Sequence, residues 1–334
     1  MEFQNILADL KNKTYSTVYF LEGEEPYYID VVSDYILEHV LTEGEKSFNQ
    51  TLLYGKDITM DTILTAARRY PMMSEKQVVV VREAQNIRDI DELASYVEKP
   101  APSTLLVLCY KYKTIDKRKK LYKAIQKNGV YMESKPLYEY KIPEWTINYL
   151  KTKQLGIEHK AVQMITDHIG NNLQRIVNEL DKVIYSAVPG TSITVDDVER
   201  NIGISKEYNA FEFQKALGQK DIYNTNRIIN YFIENEKSNP IQMLVSILVS
   251  YFRKILTYHT IENKGNESEV AQKLGVSPFF VKDYLTAGRN YPLQKAVLVL
   301  SLLREYDLRS KGARGGTSEN GELLRELTYK ILHI

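Results

Sequence analysis

Residues 19–30, YFLEGEEPYYID, are the part of the chain whose residue types come nearest to a catalytic motif. An apolar run, a glycine and the start of a helix form the setting of a phosphate loop, G-x-x-x-x-G-K-[ST]. In such a loop the second glycine lets the backbone approach the phosphates, the lysine neutralises them and the hydroxyl holds magnesium. Counted from Gly23, those three positions are Tyr28, Ile29 and Asp30, and Glu24 and Glu25 add negative charge where phosphates would sit. Carboxylates there repel a nucleotide. The later run VVVVREAQ carries Arg82 where an Asp-Glu metal pair would begin, which leaves Glu83 alone, and LLVLCYK ends without a polar sensor residue. The pattern reads as the relic of a phosphate site, and no cofactor is expected.

Three other stretches could do chemistry or recognition. The run 111–127, KYKTIDKRKKLYKAIQK, holds eight basic residues against Asp116. It could follow a DNA backbone through Lys117, Arg118, Lys119 and Lys120, or be a solvated helix with Leu121, Ala124 and Ile125 facing inward. In RRYPMMSEKQ, residues 68–77, the turn Pro71-Met72-Met73 is either adaptable core filler or an exposed apolar plug. In EVAQKLGVSPFFVKDYLTAGR, Ala271, Gly275 and Val281 have the spacing of a helix-turn-helix. Ser277 and Pro278 would cap and start its second helix. A DNA-binding regulator using 270–289 is therefore the alternative function. Against it, a groove-reading helix presents Arg, Lys, Asn or Gln at its start, whereas this one opens with Phe279 and Phe280. The five histidines, at 39, 159, 168, 259 and 333, share no metal-ligand spacing, and no nucleophile–base arrangement or carboxylate pair stands out. His168 and Trp145 are assigned to packing.

Composition narrows the classes. Lys+Arg at 44 against Asp+Glu at 43 gives a formal charge of +1, without the basic excess of a protein that binds nucleic acid alone. Any DNA contact is then local or shared with partners. The single cysteine, Cys109, lies in an apolar run and suits a reducing compartment. The N-terminus, MEFQNILADLKNK, lacks the apolar core of a signal peptide, and 241–252 is too short to span a bilayer. A cytoplasmic protein is expected, with no membrane contact.

The elements that must position these residues fall into an α/β part and an all-α part. TVYFLEG, FNQTLLYG, KQVVVVREA and STLLVLCYK are strand-like, and helical stretches are expected at 25–41, 58–69, 87–98 and 116–127. Such alternation predicts a parallel sheet with flanking helices. The continuous runs VVVV and LLVL suit central strands covered on both faces. After Pro136 the strand signals stop. Three or four short helices are expected up to about residue 204, then helices throughout, closing with a pair at 293–310 and 319–332. GARGGTSENG, 312–321, reads as a flexible loop between that pair.

In order along the chain, LEGEEPYYID, PMMSEKQVVVVREAQ, DKRKKLYKAI, GNNLQRIVNELDKV and YDLRSKG resemble the delta subunits of the bacterial DNA polymerase III clamp loader. The resemblance spans essentially the whole chain. It implies a degenerate AAA+ module, with an α/β domain over 1–137 and a small helical lid over 138–207, followed by a helical collar over 208–334. It also implies a subunit that binds no ATP, grips one face of the sliding clamp and opens a clamp interface. Other loader subunits bind ATP, and the collar assembles a hetero-pentamer around primer–template DNA. The family is catalogued with DNA-directed DNA polymerase, but no polymerase site is expected here. The family's hydrophobic clamp plug falls on Met72 and Met73, beside Pro71, where other members often have Leu and Phe. Arg175 matches the sensor arginine of the second domain, with an interface or packing role expected.

Overall fold

The computed structural model describes residues 2–205, 207–313 and 319–334. The chain divides into two compact units, Met1–Pro136 and Leu137–Ile334. The first runs α1 (Phe3–Lys11), β1 (Val18–Gly23), α2 (Pro26–His39), α3 (Glu43–Asn49), β2 (Gln50–Tyr54), α4 (Met60–Arg68), β3 (Gln77–Arg82), α5 (Ala94–Glu98), β4 (Thr104–Lys111), α6 (Lys120–Asn128) and β5 (Val130–Ser134). The five strands form one parallel sheet in the order β2-β3-β4-β1-β5. The unbroken apolar runs are explained by this order. Val79, Val81, Leu106 and Leu108 pack with residues of α4, α5 and α6 on one face. Val78, Val80, Leu105 and Val107 pack with residues of α1 and α2 on the other. The sheet and its flanking helices are those expected of the degenerate AAA+ module.

Several local expectations differ. The helix expected at 87–98 is a 3₁₀ turn, Ile90–Leu93, the second of two, followed by the short α5; the first, Ala84–Asn86, lies just ahead of that span. Asp89, which precedes the second turn, is left-handed at φ 55°, and that reversal interrupts a continuous helix. FNQTLLYG is not all strand. Phe48 and Asn49 close α3, whose start is fixed by a Thr42–Glu45 capping box. Strand β5, VYMES, was not anticipated, because its sequence carries too little apolar signal for an edge position.

The second unit is α7 (Ile142–Thr152), β6 (Gly156–Ile157), α8 (His159–Ile169), α9 (Leu173–Ser186), β7 (Ser192–Ile193), α10 (Val195–Ile202), α11 (Ala210–Gln219), α12 (Ile222–Glu234), α13 (Ile241–Thr260), α14 (Glu267–Leu274), α15 (Val281–Asn290), α16 (Leu293–Ser310) and α17 (Asn320–His333). The parallel pair β6–β7 departs from the all-helical expectation. Two-residue strands lie below what periodicity can signal. Side-chain caps start the helices: Asn172 on α9, Thr194 on α10, Asn209 on α11, Asp221 on α12 and Asn266 on α14. Helix α13 is the centre of the largest core, burying Leu244, Val245, Leu248, Phe252 and Ile255 against Ala296, Val299 and Leu303 of α16. Of the loop expected at 312–321, residues 314–318 lie outside the described residues, and α17 already begins at Asn320. Among the described residues, no helix is long and apolar enough to cross a membrane.

Candidate functional site

The segment with the phosphate-loop setting lies at the carboxyl end of β1, an inner strand, where open α/β sheets receive ligands. Gly23 adopts φ 131°, and a Cβ there would stand 1.9 Å from the Ser134 carbonyl oxygen. Only glycine permits that approach. Ser134 Oγ donates to the Glu25 carbonyl at 2.7 Å, and the Glu25 N–H donates back to the Ser134 carbonyl at 3.3 Å. These contacts sew the loop onto β5. The buried Glu25 carboxylate caps α2, accepting the Tyr27 N–H at 2.9 Å. Burial pushes its pKa up, opposed by that hydrogen bond. A phosphate at a helix N-terminus would use the same positive end and the same orphan N–H groups. Here the chain's own carboxylate takes one of them, the Tyr27 N–H.

The remaining positions agree with that chemistry. Ile29, in the lysine position, is fully buried in the core beside Val32 and Ile36. The Tyr28 ring lies 4.6 Å from that of Phe3. Asp30 pairs with Lys111 from the end of β4 at 2.6 Å, and Arg82 pairs with Asp34 of α2. Glu24 is exposed. Glu83, the surviving acid of the metal-strand pattern, lies 3.4 Å from Lys56. Among the described residues, no cluster of three or more His, Cys, Asp or Glu is placed to hold a metal. The sequence reading passed over Glu22, which is wholly buried and accepts hydrogen bonds from the Ile115 N–H at 2.8 Å and the Tyr131 hydroxyl. Its one signal was an acid inside an apolar strand.

The turn containing Pro71, Met72 and Met73 leaves both methionines in solvent, Met72 at 55% exposure and Met73 at 101%. Of the two readings of this turn, core filler is excluded. Met73 is left-handed at φ 51°. Side chains from α3, from β3 and from the residue after α4 brace the turn. Asn49 of α3 donates to the Met72 carbonyl at 2.8 Å and accepts the Met72 N–H at 2.7 Å. Buried Gln77 of β3 donates to the carbonyls of Ala66 and Arg69 and to Thr104 Oγ1. Arg69 itself donates to the Phe48 carbonyl at 2.9 Å. Phe48 and Tyr70 beside the turn are also exposed, as are Leu52 and Tyr54 on the edge strand β2, with Tyr54 at the other end of the sheet, level with Arg82. The sequence reading did not include them, because strand alternation alone does not say that one face near a sheet edge lacks a cover.

The basic run is less free than its composition suggests. Lys117 pairs with Glu133 at 2.8 Å, Arg118 with Asp116 at 2.8 Å, and Lys119 with Asp91. Two of those acids lie outside the run, on β5 and in the second 3₁₀ turn, so folding supplied the compensation. Lys120 has no carboxylate partner among the described residues. Leu121, Ala124 and Ile125 are buried as expected of the inward face of α6.

The segment 270–289 does form two helices around Gly275, left-handed at φ 62°. Ser277 makes no capping hydrogen bond, and Pro278 opens a 3₁₀ turn, so α15 starts only at Val281. Phe280 is buried, its ring 4.9 Å from that of Phe211, and Val281, Tyr284 and Ala287 are buried along α15. That is a packed helical corner. Arg175 and His168 line a cleft of about 1110 Å³ in the second unit. Burial and the nearby Arg175 charge hold His168 below the usual histidine pKa. Trp145 stacks on Tyr149 at 5.5 Å.

Comparison with known proteins adds relatives over the same spans. Residues 19–135 match the family model "DNA polymerase III, delta subunit", and 207–325 match the model for its C-terminal domain. The DNA polymerase III subunit delta of Bacillus subtilis (strain 168) is 28% identical over 97% of this chain and 94% of its own. The probable DNA polymerase III subunit delta of Aquifex aeolicus (strain VF5) is 25% identical over 86% of this chain and 84% of its own. The solved structure of the Bacillus subtilis DNA clamp loader delta protein superposes with a TM-score of 0.58 at 25% identity, covering 100% of both chains.

Proposed function

Because this chain belongs to the family of DNA polymerase III delta subunits, we propose that it binds and opens the sliding clamp without binding ATP itself. The observation that carries the reading is the braced turn with Met72 and Met73 in solvent. Exposed apolar side chains that stand together on a monomer, here Met72 and Met73 beside Phe48 and Tyr70, mark interaction sites, whereas scattered single ones do not. Burying each methionine in a partner pocket would contribute about 1.5–3 kcal/mol, and a small central apolar anchor can dominate an interface. Clamp opening then needs no chemistry from this chain. A protein that binds the opened interface better than the closed one shifts the equilibrium by that difference in affinity.

The self-capped loop supports the second half of the proposal. With Glu25 on the α2 N-terminus and Ile29 in the core, neither anion nor lysine has a place at this loop. ATP-driven steps then belong to other loader subunits, assembled with this chain through its C-terminal helices. Lys117–Lys120 would meet primer–template DNA only within that assembly. The deciding experiment is clamp binding by the full chain carrying Met72→Ala and Met73→Ala. Both side chains are exposed, so stability should change by no more than about 0.5 kcal/mol while clamp binding is lost. Undiminished clamp affinity in the folded double variant would refute the plug.

A further inference from the structure

Asparagine is a surface residue type, yet Asn49 is 1% exposed and its whole carboxamide is committed to one peptide unit's neighbours. Its Nδ2 donates to the Met72 carbonyl at 2.8 Å, and its Oδ1 accepts the Met72 N–H at 2.7 Å, 23 positions along the chain. We propose that Asn49 is a positioning residue for clamp binding, presetting the turn so that Met72 and Met73 stand outward before any partner arrives. The proposal rests on the clamp reading above and adds the element that makes the plug rigid.

The chemistry of the bracket is specific. Met72 presents one main-chain donor and one main-chain acceptor, and a primary amide answers both at once. Aspartate offers no donor, and an aliphatic side chain answers neither. The need for a bracket follows from the next residue. Met73 holds φ 51°, a region that non-glycine residues visit rarely and at a cost, so the turn relaxes unless its surroundings fix it. Met73 buries nothing in its own unit that could do so. Gln77 and Arg69 anchor the entry to the turn, and Ser74 Oγ bonds the Lys76 carbonyl at its exit. Asn49 holds the tip. An apolar anchor already fixed in its bound conformation does not lose affinity to ordering at the moment of contact.

The test measures affinity of the full chain for the sliding clamp of the same organism in four forms: unaltered, Asn49→Ala, Met73→Ala and the pair. Asn49→Ala is expected to weaken binding ~10–100-fold, through two lost hydrogen bonds and a loosened turn. If Asn49 acts through the plug, its loss costs less than about threefold more in the Met73→Ala background. Amide hydrogen exchange should rise at Met72 and stay unchanged in β1 and β4. Asn49→Asp is isosteric and still accepts the Met72 N–H, so it should fall between Asn49→Ala and the unaltered chain; it takes over the test if Asn49→Ala does not fold. Unaltered affinity in a folded Asn49 variant, or the same fold-loss in both backgrounds, overturns the proposal while the plug stands. Unaltered affinity on changing Met72 and Met73 together overturns the clamp reading and this proposal with it.

Discussion

Two glutamates three positions apart, Glu22 in β1 and Glu25 just ahead of α2, do different work. Glu25 is a cap, and its loss would uncover the Tyr27 N–H at the start of α2. Glu22 is a buried acceptor whose pKa is raised, chiefly by burial, above the ordinary glutamate value of 4.5. At low pH it is protonated in both folded and unfolded chains. As pH rises past 4.5 the unfolded chain ionises first, while the folded carboxyl keeps its proton to higher pH. The folded state then binds more protons, so stability falls through that window and levels off above the folded value. Glu22→Gln removes the titration. Its stability relative to the unaltered chain, read from urea midpoints, should climb from about pH 4.5 upward and then plateau. A difference that stays flat with pH would show that Glu22 titrates as it does in the unfolded chain. Cys109 belongs to the same class of buried groups: burial pushes its thiol up to about 12, which makes it a packing residue and not a nucleophile.

Among the elements, two helices of the second unit meet at a glycine. Gly288 of α15 meets α13 so closely that a Cβ would stand 2.5 Å from the Tyr258 ring. Gly288→Ala should therefore destabilise this helix pair by about 1–3 kcal/mol through overpacking. Gly44, on the exposed side of α3, meets nothing within 4 Å. Gly44→Ala should instead stabilise by about 0.4–1 kcal/mol. Chemical denaturation of the two variants separates them by sign, and a neutral Gly288→Ala would mean that α15 can shift away from α13. In the first unit, the edge strand β2 shows how an element acquires a role from its place in the sheet. Its Leu53 packs into the core under α4, while Leu52 and Tyr54 on the other face stay exposed. A central strand with the same sequence would have had both faces covered.

At the scale of the whole chain, the first unit has cores on both faces of its own sheet and carries the entire braced turn. A fragment of residues 1–136 should fold cooperatively and bind the clamp with the affinity of the full chain. Circular dichroism melting and a clamp titration check both parts. A folded fragment without clamp affinity would assign part of the interface to the second unit.

The alternation of strands and helices, the two central strands and the α16 boundaries could be read directly from the sequence, because apolar periodicity and capping residues are local signals. The departure of residues 23–30 from the phosphate-loop pattern was legible too, since a missing lysine needs no coordinates. Asn49 and Met72 are 23 residues apart, Glu133 and Lys117 are 16, and Glu22 and Tyr131 are 109. No periodicity or spacing connects such pairs. The sequence by itself determined which residue types stand at the loop after Gly23 and at the methionine turn. Tertiary structure alone decided which charges are already paired and which apolar side chains are left over, because both depend on what folding brings alongside.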